Sequence, residues 1–227
     1  MRNTLLDRPI WSALATVHAA LGEGAGLARR YRPGLLAFAG TEMDTPEAMA
    51  DFAALVRPGE TLYFLQADPV PPAAGFEVLV AAEAVQMVAQ NVPAAVPDEA
   101  IVALGEGDAE EMMTLATLTK PGPFSLKSQE LGRFWGVREG GRIVAMAGER
   151  MKQPGYTELS GVCTHPDHRG KGHARRLSLH VAARILEAGA QPYLHAYASN
   201  TAAIGLYEAI GFSQRRSMHV AALRRPD

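Results

Sequence analysis

Apolar and polar positions follow two rhythms along this chain, and the clearest run lies in its second half. From Gly170 to Ala188 the residues Ala174, Leu177, Val181, Ile185 and Ala188 recur at three- and four-residue steps. That spacing predicts a helix with one face on a sheet, and Gly189 is suited to end it. Phe134 to Val137 and Arg142 to Ala147 flank Gly140-Gly141, the pattern of a hairpin. Tyr156 to Thr164 and Tyr193 to Tyr197 predict further strands, and Phe212 to Leu223 a final strand or pair. Asp108 and Asn200 stand where N-caps are expected for helices over Ala109–Leu118 and Thr201–Ile210, the first closed by Pro121-Gly122. The order helix, hairpin, strand, helix, strand, helix, strand implies an α/β fold with a mixed sheet and helices on its faces.

The first half is patterned less clearly. Pro9 to Leu21 predicts a helix, with Asp7 near its start and Gly22 at its end. Leu35 to Ala39 predicts a short buried strand after the Pro33-Gly34 turn. Pro46 to Val56 predicts a helix with Thr45 as N-cap and Glu47 in the first turn. Thr61 to Gln66 and Glu77 to Val88 predict strands, the second broken. Asp68 to Gly75 and Asn91 to Asp98 are rich in proline and lack a period. The second of these divides the chain, giving an expected α/β lobe over 1–95 and a domain over 96–227. An altered copy of the second domain's fold is one reading of the lobe.

Composition narrows the partners. The 227 residues suffice for one large domain or two small ones, with a real core. The formal net charge of −2 argues against a sequence-independent nucleic-acid partner. Cys163 is the only cysteine, so it forms no internal disulfide, which fits a reducing compartment. The N-terminus has an early Arg2 but no apolar signal-peptide core, and no run of about 18 apolar residues offers a membrane span. A cytoplasmic location is therefore expected.

Candidate chemistry is concentrated between Gly161 and Ala174, where a strand enters a polar turn that opens the amphipathic helix. The first amides of a helix lack intrahelical partners, and the helix dipole adds positive potential there. Small residues at Gly170, Gly172 and Ala174 let a phosphate approach those amides, and Arg169 and Lys171 add charge. A diphosphate-bearing ligand follows. The spacing matches neither G-x-x-x-x-G-K-[ST] nor G-x-G-x-x-G, since Arg175 stands where the last glycine would be. Cys163, His165, His168 and His173 are of metal-ligating types. However, their spacings match no usual zinc motif, and a cation would sit against a helix N-terminus, so no metal is expected.

What does fit is [Q/R]-x-x-G-x-[G/A], read as Arg169-Gly170-Lys171-Gly172-His173-Ala174. This resembles the coenzyme A pyrophosphate loop of the GNAT superfamily of acyl-CoA N-acyltransferases. The entering strand from Glu158 to Pro166 looks like that family's splayed fourth strand. Asn200 to Phe212 is similar to its N-x-x-A-x-x-L-Y-x-x-x-G-F block. The likeness covers about residues 100–225, and the wording GVCTHPDHRGKGHA is closest to the glycine N-acyltransferase-like branch.

The resemblance implies a mixed, mostly antiparallel sheet with helices on both faces, and acetyl-CoA as cosubstrate. The pyrophosphate would meet Arg169, Gly170, Lys171, Gly172, His173 and Ala174. The pantetheine arm would meet the strand at Val162, Cys163 and Thr164, and also Asn200. The Val162 amide would polarise the thioester carbonyl. Tyr207 would protonate the departing thiolate, and Glu158 would serve as general base, with Glu149 as a second candidate. The acceptor would be a small-molecule or peptide amine. The residues alone leave two rivals open: a different acyl-CoA, or a non-catalytic module that binds coenzyme A for sensing.

Overall fold

The computed structural model describes residues 4–94 and 96–227; Arg2 and Ala95, the latter within the expected linker, lie outside the described residues. In chain order the helices are α1 Pro9–Ala15, α2 Pro46–Leu55, α3 Ala109–Thr119, α4 His173–Glu187 and α5 Thr201–Ala209. The strands are β1 Gly22–Glu23, β2 Ala28–Tyr31, β3 Ala39–Thr41, β4 Thr61–Gln66, β5 Glu77–Ala89, β6 Ile101–Leu104, β7 Phe134–Glu139, β8 Arg142–Gln153, β9 Tyr156–Thr164, β10 Gln191–Tyr197 and β11 Phe212–Arg224.

Eight strands form one sheet in the order β4-β11-β5-β10-β9-β8-β7-β6. Every pairing in it is antiparallel except β9 with β10. The remaining three make a small sheet, β1-β2-β3. The expected α/β class with a mostly antiparallel mixed sheet and helices on both faces is therefore found.

Alternation along the strands sorts the core into two faces. On one face Phe134, Met146 and Cys163 pack with Met112 and Leu115 of α3. On the other Trp135, Val137, Ala145 and Ala147 pack with Leu177, Val181 and Ile185 of α4. The periodic residues of α4 are thus the ones it buries.

The first 94 residues differ most from expectation. The segment at 91–99 does not divide the sheet. β5 lies before it, yet is hydrogen-bonded on one side to β10 and on the other to β11. The strand expected to be broken is continuous: its first half is largely exposed and its second half buried, so its apolar pattern changes midway. The predicted helix over Pro9–Leu21 stops at Ala15 and resumes as a single 3-10 turn at Ala19–Leu21. The strand expected at Leu35–Ala39 begins at Ala39, and only Phe38 of the preceding residues makes a bridge, to Tyr63. Pro46–Leu55 and Thr61–Gln66 are as expected, and the Thr45 side chain accepts from the Ala48 amide at 3.3 Å.

Candidate active site

β9 and β10 pair over only three residues, Gln191 with Tyr156, Pro192 with Thr157 and Tyr193 with Glu158. Beyond Glu158 the two strands diverge. β9 stays bound to β8 on its far side, with an irregularity between Ser160 and Cys163 where Gly161 takes φ +64°. His165 donates its amide to Val144 O at 2.7 Å. Main-chain groups alternate along an extended strand, so those of Thr164 and Val162 turn the other way, into the gap. The Thr164 hydroxyl is buried without a hydrogen-bond partner among the described residues.

At the end of β9 a 3-10 turn, Pro166–His168, leads into α4. The helix begins at His173, three residues later than predicted, because Gly170 and Gly172 have φ of +78° and +76° and cannot continue it. L side chains resist that region, so glycine is required at both positions. A Cβ built at either position meets nothing within 4 Å, which leaves an open cradle before the first amides of α4. Lys171 and His168 reach Glu139 at the end of β7, at 2.9 and 3.1 Å. The Lys171 contact, with burial opposing it, holds the Glu139 carboxyl below its ordinary range. Of the four residues weighed as metal ligands, Cys163 lies apart from the histidines. Cys163 packs in the core, while His168 and His173 face Glu139.

A cavity of about 190 Å³ opens where β9 and β10 part. Val162, Asn200, Ala203 and Tyr207 line one side; Phe38, Tyr63, Phe64 and Arg150 line the other. Asn200 Oδ1 accepts from the Ala203 amide at 3.1 Å, so it caps α5 as expected, and the residue also lines the cavity. The Tyr207 ring is buried and meets Phe212 edge-on, with centroids 6.1 Å apart. Its hydroxyl has no hydrogen-bond partner among the described residues. Burial, with a smaller contribution from Cys163, raises its pKa to about 12.

Glu158 is placed differently from what a general base needs. It is fully buried and bound side-on by Arg150, Nε to Oε2 at 2.8 Å and Nη2 to Oε1 at 2.7 Å. His195 Nδ1 lies 2.8 Å from Oε1, and Gln86 Nε2 lies 2.9 Å from His195 Nε2. Because the Gln86 amide nitrogen can only donate, His195 Nε2 accepts and its Nδ1–H points to the carboxylate. Burial alone would raise the Glu158 pKa. The charge and hydrogen bonds of Arg150, with the hydrogen bond of His195, outweigh it and bring the value down to about 2. A carboxylate held so low, with both oxygens engaged, is a weak proton acceptor near neutrality. These surroundings suit a positioning role for Glu158 better than the general-base role expected from the sequence. The alternative, Glu149, is turned to Lys152 Nζ at 2.7 Å and does not line the cavity. Arg150, His195 and Gln86 were not legible as site residues, since each reaches Glu158 or His195 from a different strand.

Residues 134–220 match the FR47-like protein family. A GNAT-family protein from Novosphingobium aromaticivorans DSM 12444 is 42% identical, with 98% of this chain and 99% of that one covered and a TM-score of 0.92. A GCN5-related N-acetyltransferase from Kribbella flavida shares the fold at 17% identity, with coverage of 95% and 94% and a TM-score of 0.63. A GCN5-related N-acetyltransferase-like protein from Streptococcus suis 89/1591 does so at 14% identity, 97% coverage of both chains and a TM-score of 0.55. No curated protein sequence matches the chain.

Proposed function

The chain belongs to the GNAT family, and on that premise we propose that it moves an acetyl group from acetyl-CoA to a primary amine. One observation carries the reading. A gap between β9 and β10, with main-chain groups facing into it, joins a glycine cradle at one end to a cavity at the other. Kinship to the glycine N-acyltransferase-like branch rests on the loop wording from Gly161 to Ala174 alone.

The cosubstrate brings an activated thioester; the chain's own residues bind, orient and handle protons. Amides from Gly170 to Ala174, with Arg169 and Lys171, suit the pyrophosphate. Lys171 would exchange its contact with Glu139 for a phosphate oxygen. Main-chain groups of Val162 and Thr164 suit an extended arm laid along the unpaired edge of β9, next to Cys163 and the Asn200 amide. The Val162 amide is the donor best placed for a carbonyl oxygen in the gap, where negative charge develops during transfer. Tyr207 keeps its proton across the physiological range and can deliver it to a leaving thiolate beside it. Glu158 acts as a positioning residue that fixes Arg150 and His195. With no free carboxylate lining the cavity among the described residues, the amine's surplus proton leaves through water. Holding the two reactants together in a narrow cavity supplies a large share of the acceleration.

Binding tests the first half of this reading. Acetyl-CoA should raise the melting temperature, since a ligand that binds only the folded state stabilises it. ATP and NAD should do far less, and equal stabilisation by ATP would contradict a coenzyme A site. Gly172→Asp places its Cβ in open space but at φ +76°, a strain of about 1–2 kcal/mol, so it should fold with somewhat reduced stability, yet lose at least about tenfold in acetyl-CoA affinity from a carboxylate facing the pyrophosphate. An unchanged dissociation constant in the folded variant would move the site elsewhere.

A further inference from the structure

We infer that the acceptor amine carries a carboxylate and a bulky apolar substituent, and that Arg150 and Lys120 read the carboxylate. This rests on the transfer reading above and adds the acceptor's chemical class to it.

The inner cavity continues outward into a groove of about 640 Å³, with Tyr63, Lys120, Gly122, Pro123 and Tyr197 lining both. Five titratable side chains other than tyrosine face this continuous space: Arg30, Glu60, Lys120, Arg150 and His195. Arg30 and Glu60 hold each other through two hydrogen bonds, and Arg30 also donates to Leu55 O. His195 has both ring nitrogens engaged. Arg150 gives Nε and Nη2 to Glu158. Its Nη1 has no partner among the described residues and lies near Gly122, 3.8 Å from where a Cβ there would stand. The guanidinium sits over the Phe38 ring at 5.0 Å and so is held in this direction. An edge with two free N–H donors therefore faces the cavity mouth, where it matches a carboxylate oxygen.

Lys120 supplies the second observation. It ends α3 in the left-handed conformation, φ +51°, and is the only described non-glycine residue with positive φ. Glycine or asparagine usually takes that seat, because a Cβ there is strained. The lysine makes no ion pair or side-chain hydrogen bond among the described residues, so no such contact accounts for a lysine in that seat. Lys120 lines both the inner cavity and the outer groove. Since Arg150 and Glu158 cancel, and so do Arg30 and Glu60, Lys120 leaves the space net positive. A polyamine would find no free acid here and would face this lysine, whereas a carboxylate is matched.

The walls give the second feature. Phe38, Tyr63, Phe64 and Tyr197 surround the place left for the acceptor's substituent. Glycine would leave that apolar surface uncovered; a large side chain would cover it. The class that fits is an α-amino acid with an aromatic or branched aliphatic side chain.

The experiment measures acetyl transfer to L-phenylalanine, L-leucine, glycine, phenethylamine and L-phenylalaninamide, in the natural protein and in Lys120→Met and Lys120→Gly. The amide's amine loses its proton more readily than the acid's, so intrinsic reactivity runs against the expected result. L-Phenylalanine should exceed both L-phenylalaninamide and glycine in kcat/KM by at least about tenfold, mainly through KM. Lys120→Met should shrink the acid-to-amide ratio several-fold, and added salt should shrink it in the natural protein. Lys120→Gly should shrink it likewise while raising the melting temperature, a pairing that a purely structural lysine would not give. Amides or simple amines turned over as well as the acids would overturn carboxylate recognition and leave acetyl transfer standing. Glycine matching phenylalanine would overturn the apolar subsite. Acetyl-CoA that binds but reaches no amine of any kind would overturn the transfer reading, and this inference with it.

Discussion

Glu158→Gln is expected to lower folding stability by about 3 kcal/mol at pH 7, the low end of what removing one partner of a buried ion pair costs. The natural carboxylate is fully buried and balances Arg150 at 2.7 and 2.8 Å. A neutral amide keeps the shape but leaves the guanidinium uncompensated. The effect carries a pH signature. Glu158 has its pKa lowered from 4.5 to about 2 on folding, so protons bind more readily to the unfolded chain. Its contribution is complete above pH 4.5 and is lost as pH falls towards 2. Denaturant titrations of both proteins should therefore show a gap that is widest above pH 4.5 and closes on acidification. A variant within about 1 kcal/mol of the natural protein at pH 7, or a gap independent of pH, would show that the pair is not coupled as described.

Tyr207→Phe is expected to reduce turnover by about 10²-fold while leaving acetyl-CoA affinity and melting temperature nearly unchanged. A general acid contributes about 10²–10⁴-fold, and a thiolate is a good leaving group, which favours the lower end. The ring's contact with Phe212 survives the substitution, and the hydroxyl gives up no hydrogen bond within the described residues. Because burial raises the Tyr207 pKa to about 12, the hydroxyl stays protonated throughout the usual assay range. The loss should thus be uniform from about pH 6 to 10, with the shape of the profile unaltered and set by the amine's own ionisation. Turnover equal to the natural protein's, with chemistry shown to limit the rate, would make Tyr207 a packing residue only.

What was legible in the sequence follows from how local each feature is. Gly170 and Gly172 sit where left-handed backbone is needed, and glycine is the residue that accepts it, so residue type alone marked the cradle. Asn200 at the start of α5 and the alternating residues of β7 to β9 were readable for the same reason. The partners of Glu158 were not. Arg150 reaches it across an irregular stretch of β8 between Glu149 and Lys152, and His195 comes from β10, so neither register could be read from spacing. β5 was harder still. Its neighbours begin more than a hundred residues later in the chain, and half its length is exposed, which made it look like a broken strand in a separate lobe. Lys120 was hidden by the proline and glycine that follow it. Pro121-Gly122 was the expected stop, yet the lysine before it takes the left-handed seat that ends α3.

Transfer itself is read by following free thiol from acetyl-CoA with and without amines while acetylated product is detected by mass spectrometry. The expected result is thiol release that requires an amine, saturates with it, and equals the acetylated amine formed. Tight binding of acetyl-CoA with release no faster in the presence of any amine would contradict transfer and leave a coenzyme A-binding protein without this catalysis.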